Sequence, residues 1–356
     1  MSYQPHLADT GFLLFNVLQA PAQLQGLPQL TEADQPLMEQ VLDEAGKFVA
    51  EVVAPLTRVG DEVGCSWHAG AVTTPPGFRD AYQAFVQAGW PALACAEEDG
   101  GQGLPWVLEG VLYEWLNAAN HGWTMTPGLL HGAYECLKHH GSDALKAAYL
   151  PHIASGEWLA TMCLTEPQAG SDLGLVRTQA VPVEASLDHH ISGTKIFISG
   201  GEHDLTDNIL HLVLARLPGA APGPKGLSLF LVPKLLPDGT RNTVVCERIE
   251  EKMGLHGSPT CVMRFDAATG WLIGSPGAGL NAMFVMMNAA RLLVALQGIG
   301  LLDAAWQKAD AYARERRQMR APGAAPASRG KEPADLIVEH PAVRRTLDVQ
   351  RAWIDG

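Results

Sequence analysis

Nowhere in the 356 residues do two cysteines stand at the C-x-x-C spacing. The six cysteines, Cys65, Cys95, Cys136, Cys163, Cys246 and Cys261, are scattered, so the usual framework for zinc or iron–sulfur ligation is missing. Reduced, mostly buried thiols in a cytoplasmic protein are expected instead. Basic residues are in short supply: 25 Lys and Arg against 38 Asp and Glu give a formal charge of −13, which argues against a general nucleic-acid partner. An anionic ligand would need local basic residues or helix N-termini. No basic segment followed by an apolar run and a cleavage site opens the chain, so no signal peptide is expected. The most apolar stretch, Met283 to Leu302, is interrupted by Asn288, Arg291 and Gln297, and is expected to be a buried core helix rather than an integral membrane segment. The glycine-rich run Gly100-Gly101-Gln102-Gly103 follows three acidic residues and has no P-loop lysine behind it, so it does not signal phosphate binding. His256 has no second ligand at helical or hairpin spacing, the pairs His139-His140 and His189-His190 are too close in sequence to suggest a site, and no metal is expected.

What is present is a globular composition, 47% apolar and 18% charged, in a chain long enough for two or three domains. Residues 1–35 read as an N-terminal arm. Phe12, Leu13, Leu14, Phe15, Val17 and Leu18 are expected to pack on a larger body, with Pro21 and Pro28 as punctuation. Over 36–157 the periodicity is helical. Leu37, Val41, Leu42, Ala45, Phe48, Val49 and Val52 form one stripe that ends at Pro55, and Thr31 with Asp34 offers a cap. Further helices fit Pro76 to Ala88, 106–119, 127–140 and 142–154. Over 158–275 short β-rich runs take over, at 159–165, 175–185, 189–199, 209–217, 227–233, 243–249 and 260–266. Turn residues divide them, which predicts an antiparallel barrel or sandwich. From 276 to 356 helical periodicity resumes, is broken by an Ala/Pro/Gly-rich loop over 321–333, and restarts at His340-Pro341. The expected class is α+β: an N-terminal helical domain, a middle antiparallel β-barrel or sandwich domain, and an incomplete C-terminal helical domain.

The stretch that organises this reading is Leu159 to Gly174, LATMCLTEPQAGSDLG. An alternating strand runs into a turn of small and polar residues, a way of bringing backbone close to a flat or anionic ligand. Gly170 tolerates positive φ and close approach, and Ser171 can donate to phosphate oxygens. Three further blocks stand out: Gly193-Thr194-Lys195-Ile196-Phe197-Ile198-Ser199, the segment Lys252 to Thr260, and the long helix with Asn288-Ala289-Ala290-Arg291 inside it and Arg314-Glu315-Arg316-Arg317-Gln318 at its end.

Cys163 to Asp172 resembles the acyl-CoA dehydrogenase signature C-x-T-E-P-x-A-G-S-D, and 193–201 resembles that family's G-x-K-x-[WF]-I-[ST]-x-[GA]. The order helical, β, helical agrees. The resemblance extends over nearly the whole chain and is strongest to a long subfamily that includes the methylthiopropionyl-CoA dehydrogenases. It implies FAD as cofactor. Met162, Leu164 and Thr165 would line one side of the flavin ring. Phe197, Ile198 and Ser199 would line the other, with Phe197 as the wall and Ser199 at the reactive nitrogen N5. Gly170 and Ser171 would lie near the pyrophosphate and the CoA arm. Asn288 and Arg291 would lie near the acyl-CoA. Arg316 and Gln318 would reach the FAD of a neighbouring subunit, which implies a homodimer or higher oligomer. An electron-transfer flavoprotein would be the electron partner. His256 stands where the family often has a basic residue, and reads as a turn histidine.

The implied reaction is α,β-dehydrogenation of an acyl-CoA thioester, and it needs a carboxylate base. The family places that base beyond the arginine block or, in a minority, just before the substrate-side arginine. Here the latter position is Ala290, so no catalytic base is expected within these residues. Glu166 reads as a structural carboxylate. Two alternatives stay open: an inactive FAD- and acyl-CoA-binding fragment, and an acyl-CoA oxidase that passes electrons to O₂.

Overall fold

The computed structural model describes residues 2–30, 33–323 and 332–356. Thr31, expected to assist a cap, and most of the loop expected over 321–333 lie outside the described residues. The arm contains α1 (Leu7–Gly11), a π-helical turn Phe12–Val17 and α2 (Ala20–Leu24). Only part of its apolar run packs inward: Leu14 is buried, whereas Phe12, Val17 and Leu18 are exposed.

The helical body follows with α3 (Gln35–Phe48), α4 (Thr57–Val63), α5 (Phe78–Gln87), α6 (Trp106–Thr124), α7 (Leu130–His140) and α8 (Asp143–Ala154). Asp34 caps α3 by accepting from the Leu37 amide at 2.9 Å, and Ser142 caps α8 through the Leu145 amide. The apolar stripe of α3 continues through a π turn, Val49–Val53, to Pro55. Helix α6 runs past residue 119, but Asn120 inside it has φ −155° and ψ 86°. The Asn120 side chain restarts the helix by accepting from the Trp123 amide at 3.1 Å. Two elements were not legible in the periodicity: α4, and a small hairpin of β1 (Ser66–His68) and β2 (Ala71–Thr73).

Seven strands form the middle region: β3 (Leu159–Cys163), β4 (Gln179–Pro182), β5 (Asp188–Ser199), β6 (Ile209–Arg216), β7 (Leu227–Pro233), β8 (Val244–Ile249) and β9 (Thr260–Ile273). The pairings β6–β4, β4–β5, β5–β9, β9–β7 and β7–β6 close on themselves as a barrel, and β8 adds to β9. The expectation of a purely antiparallel sheet is corrected. β3 and β4 both run parallel to β6 and share one of its edges, β3 against 209–213 and β4 at Arg216. The loop 164–178 is therefore the seam where one strand hands that edge to the next.

The strands β6 and β7 are buried on both faces, and their residues sort by face. Leu210, Leu212, Leu214, Leu227, Leu229 and Leu231 join the core shared with the helices. Val213, Ala215, Phe230 and Val232 fill the barrel interior. Leucine meets the helices, and shorter or aromatic side chains occupy the tapering lumen.

After the barrel comes α9 (Gly279–Ala313), then α10 (Pro341–Asp355). A Cβ on Gly279 would stand 2.3 Å from the Ser228 carbonyl carbon, and one on Gly300 would stand 2.5 Å from the Glu114 carbonyl oxygen. Those two glycines fix α9 against β7 and α6. Asp303, buried on the same face, accepts from Tyr3 Oη at 2.8 Å and pairs with His6 Nε2 at 2.9 Å, so it anchors the arm. The helix is less buried than the core helix expected: Leu292, Val294 and Leu301 are exposed. The helix is apolar on all sides, but α6, α7, β7 and α10 cover only part of its circumference. By length and composition it could cross a membrane, yet its packed face lies on the helical body.

Candidate functional site

The seam loop is organised around Glu166. Its backbone closes a tight turn, with Glu166 N donating to Ala169 O at 2.9 Å and Ala169 N donating back at 3.0 Å. Its carboxylate accepts at Oε1 from Lys195 Nζ (2.8 Å), the Thr178 amide (3.1 Å) and Thr178 Oγ1 (2.6 Å). At Oε2 it accepts from the Arg177 amide (2.8 Å) and Gln168 Nε2 (2.6 Å). Burial pushes this carboxyl up, but Lys195 and the surrounding donors outweigh burial and hold it down at about 2. Glu166 is thus ionised and saturated, and unfit to accept a proton.

Lys195 ties the seam to β5. Besides Glu166, its ammonium donates to the Leu164 carbonyl at 2.9 Å. Next to it, the Ile196 amide donates to the Thr165 carbonyl at 2.9 Å. The strand then bulges: Lys195 pairs with Met263 and Ile198 with Cys261, so one residue on β9 faces two on β5. In the bulge Phe197 takes φ +60°, a left-handed conformation that costs an L-residue about 1–2 kcal/mol. Its ring is 58% exposed. A Cβ on Gly193 would stand 2.3 Å from Thr178 Oγ1, so glycine there lets Thr178 reach Glu166.

The two motifs are therefore in direct contact. Met162 and Thr165, half-buried at the end of an otherwise buried strand, sit beside the bulge that carries exposed Phe197 and half-buried Ser199. Ile198 points into the barrel lumen and Leu164 into the core shared with the helices, so only their backbones could meet a ligand. Gly170 is exposed on the turn. It is absent from the positive-φ positions, and a Cβ there would meet nothing within 4 Å. Its surroundings, including exposed Ser171, are open. Asp172 shapes the turn by accepting from the Gly174 amide at 2.9 Å.

The third block reaches the same rim. Ser199 pairs with Thr260, and the Gly200 amide donates to the Pro259 carbonyl at 2.8 Å. The hydroxyls of Ser258 and Thr260 are buried and without a hydrogen-bond partner among the described residues. Gly200 abuts the start of the α7 segment, where Thr126 Cγ2 lies 2.9 Å from its ideal Cβ position. His256 is a turn histidine pinned to α4, with Nδ1 3.1 Å from the Asp61 carbonyl oxygen.

On α9, Asn288 and Arg291 are exposed and bonded to each other at 2.7 Å, with the guanidinium 5.3 Å from the Phe284 ring centre. Ala290 beside Arg291 is half-buried. Arg316 and Gln318 bond to each other at 3.1 Å just past the end of α9. There Ile337 N donates to Arg316 O, and Gln318 N to Asp335 O. At about 1.5 Å per residue, that end lies roughly 33 Å along the helix from Arg291, so this pair is set apart from the Asn288–Arg291 segment.

The contributions that motif reading did not single out are the donors Lys195, Thr178 and Arg177, and the hydroxyls of Ser258 and Thr260. The available signal was a lysine at an inward position of an apolar strand, which requires a buried anion.

The rim fits a flat, partly apolar ring. An exposed aromatic and two half-buried hydroxyl residues line an open strip, and unpartnered hydroxyls lie behind it. A helical body, a closed β-barrel with such a rim and a long following helix make up the architecture. Residues 36–157 match the N-terminal domain of acyl-CoA dehydrogenase, and residues 161–268 match its middle domain. The chain belongs to the acyl-CoA dehydrogenase family, and FAD is the cofactor of that family. It is 44% identical to a 3-methylmercaptopropionyl-CoA dehydrogenase of Ruegeria pomeroyi, across 100% of this chain and 60% of that protein. It is 35% identical to the broad-specificity linear acyl-CoA dehydrogenase FadE5 of Mycobacterium tuberculosis, across 99% of this chain and 59% of that one. The fold superposes on an acyl-CoA dehydrogenase complexed with FAD from Bacillus anthracis with a TM-score of 0.73 at 23% identity, covering 91% of this chain and 49% of that one. The chain thus spans about three fifths of the length of the two curated relatives.

Proposed function

We propose that this chain holds FAD and the acyl-CoA thioester for α,β-dehydrogenation to the 2-enoyl-CoA, and that the base comes from outside these residues. The observation that carries the reading is the hydrogen bond from the Ile196 amide to the Thr165 carbonyl. It makes one slot of the two motif segments. Phe197 offers the ring wall, Met162 the opposite apolar contact, and the Thr165 and Ser199 hydroxyls offer hydrogen bonds to polar edges. Bound FAD supplies the acceptor for the β-hydride. The open loop at Gly170 and Ser171 leaves room for a phosphate-bearing chain. Glu166 is already saturated and Ala290 cannot take a proton, which supports a base contributed elsewhere.

Finer points belong to the same proposal. The relatives' names suggest short, linear or thioether-bearing acyl chains as the first substrates to test. The free cysteines support a reducing, cytoplasmic compartment. Arg316 and Gln318, remote from the rim of their own chain, support a role toward the FAD of a second copy in a homodimer or larger oligomer, with an electron-transfer flavoprotein as partner.

The test is purification with FAD followed by anaerobic titration with butyryl-CoA and 3-methylmercaptopropionyl-CoA. The chain alone should retain FAD and shift its visible bands on adding acyl-CoA without bleaching. Joined to the remaining part of its relatives' length, it should bleach. Failure to retain FAD would overturn the reading. Bleaching by the chain alone would place the base within it, and rapid hydrogen peroxide formation would favour an oxidase.

A further inference from the structure

The pair Lys195–Glu166 is poorly explained as a source of stability. Lys195 is 0% exposed and Glu166 is 4%. Removing two ions from water costs several kcal/mol per ion, and an apolar pair of similar volume often serves a fold equally well or better. A second cost lies two residues away, the left-handed Phe197. Two unfavourable features so close together call for a shared purpose, and strained backbone gathers at functional sites.

Geometry supplies one. The ammonium holds Glu166 at 2.8 Å and the Leu164 carbonyl at 2.9 Å. These two residues flank Thr165, and Thr165 itself is held by the Ile196 amide at 2.9 Å. Three consecutive residues of the seam are thus fixed by two consecutive residues of β5, immediately before the bulge that presents Phe197. The seam has no ladder partner of its own here, because β3 has ended at Cys163 and β4 begins only at Gln179. A hydrophobic pair could fill the same volume but would leave the spacing to loose packing.

We propose that Lys195 and Glu166 are positioning residues: their ion pair holds the Thr165 segment in place beside the bulge that presents Phe197 and Ser199, rather than adding to the stability of the fold. This rests on the FAD reading above.

The test uses the full chain and the near-isosteric neutral double variant Lys195→Met/Glu166→Gln, with Lys195→Arg as a second variant that keeps the charge and changes the donor geometry. Three quantities are read: urea midpoint without FAD, FAD dissociation constant on the folded fraction, and visible absorption and circular dichroism of bound flavin. The double variant should keep a urea midpoint close to the unsubstituted chain's, weaken FAD roughly tenfold or more, and alter the flavin dichroism. Lys195→Arg should fold and bind FAD with an altered spectrum. Unchanged FAD affinity and spectrum in both variants would overturn the proposal. So would failure of the double variant to fold, or a loss of affinity matched by the loss of folded fraction. If the unsubstituted chain takes up no FAD, the function itself falls, which is a different result from binding that the variants leave untouched.

Discussion

The barrel rim and the long helix both carry an unusual cation in apolar surroundings, and they treat it in opposite ways. Lys195 is sealed from water, bonded to a carboxylate and a carbonyl, and held in a strand paired on both sides. Arg291 is exposed, and its one hydrogen-bond partner among the described residues is Asn288 three residues away on the same helix. The rim is over-determined by contacts within the chain, whereas the long helix is held on one face and bare on the other. The hydrogen bonds that frame the rim are satisfied within this chain, and the outer face of the long helix stays uncovered by it.

Substitutions can break or sharpen that contrast. The largest effect is expected from Glu166→Ala. It strands a buried ammonium and leaves the Thr178 and Arg177 donors unmatched, so stability should fall by about 3–5 kcal/mol in urea denaturation. A loss below about 1 kcal/mol would show that the rim relaxes as easily as the helix. A pH series comes next. The Glu166 carboxyl lies at about 2 when folded, against an ordinary value of 4.5. Between those values the unfolded chain binds more protons. Stability should therefore rise with pH across that window, and its Glu166 share should be complete above it and lost as pH falls through about 2. Replacing Glu166 with Gln should flatten the slope there. Phe197→Gly should raise the stability of the FAD-free chain by up to about 1 kcal/mol, because glycine adopts the left-handed conformation freely. The same change should weaken FAD. Smallest of all, Arg291→Ala should stay within about 0.5 kcal/mol of the unsubstituted chain. A larger loss would mean that the helix is better supported than its exposure indicates.

How far the sequence could be read follows the same divide. The strand-to-loop reading at 159–174 and the structural role of Glu166 were legible, because alternation and a charged residue in apolar company are local signals. The parallel registry of β3 on β6 was not, since strand direction is decided by partners distant in sequence. The β-rich run that ends at 266 in the sequence falls short of the end of β9. In fact Ala267 takes φ +52° and the strand continues to Ile273. On α9, periodicity could not distinguish a helix surrounded by protein from one covered along one side, because its apolar residues lie on every face. For Ile198 and Leu164, position within a motif said nothing about which side of the strand each side chain would take.

The seam at 164–178 has a consequence beyond binding. Because β3 and β4 dock independently on the same border of β6, neither relies on the other to find its place. The chain between them can lengthen, shorten or change composition near Gly170 without slipping the barrel's alignment. A wall assembled from two abutting pieces allows the opening between them to be reshaped for new ligands while the enclosure stands.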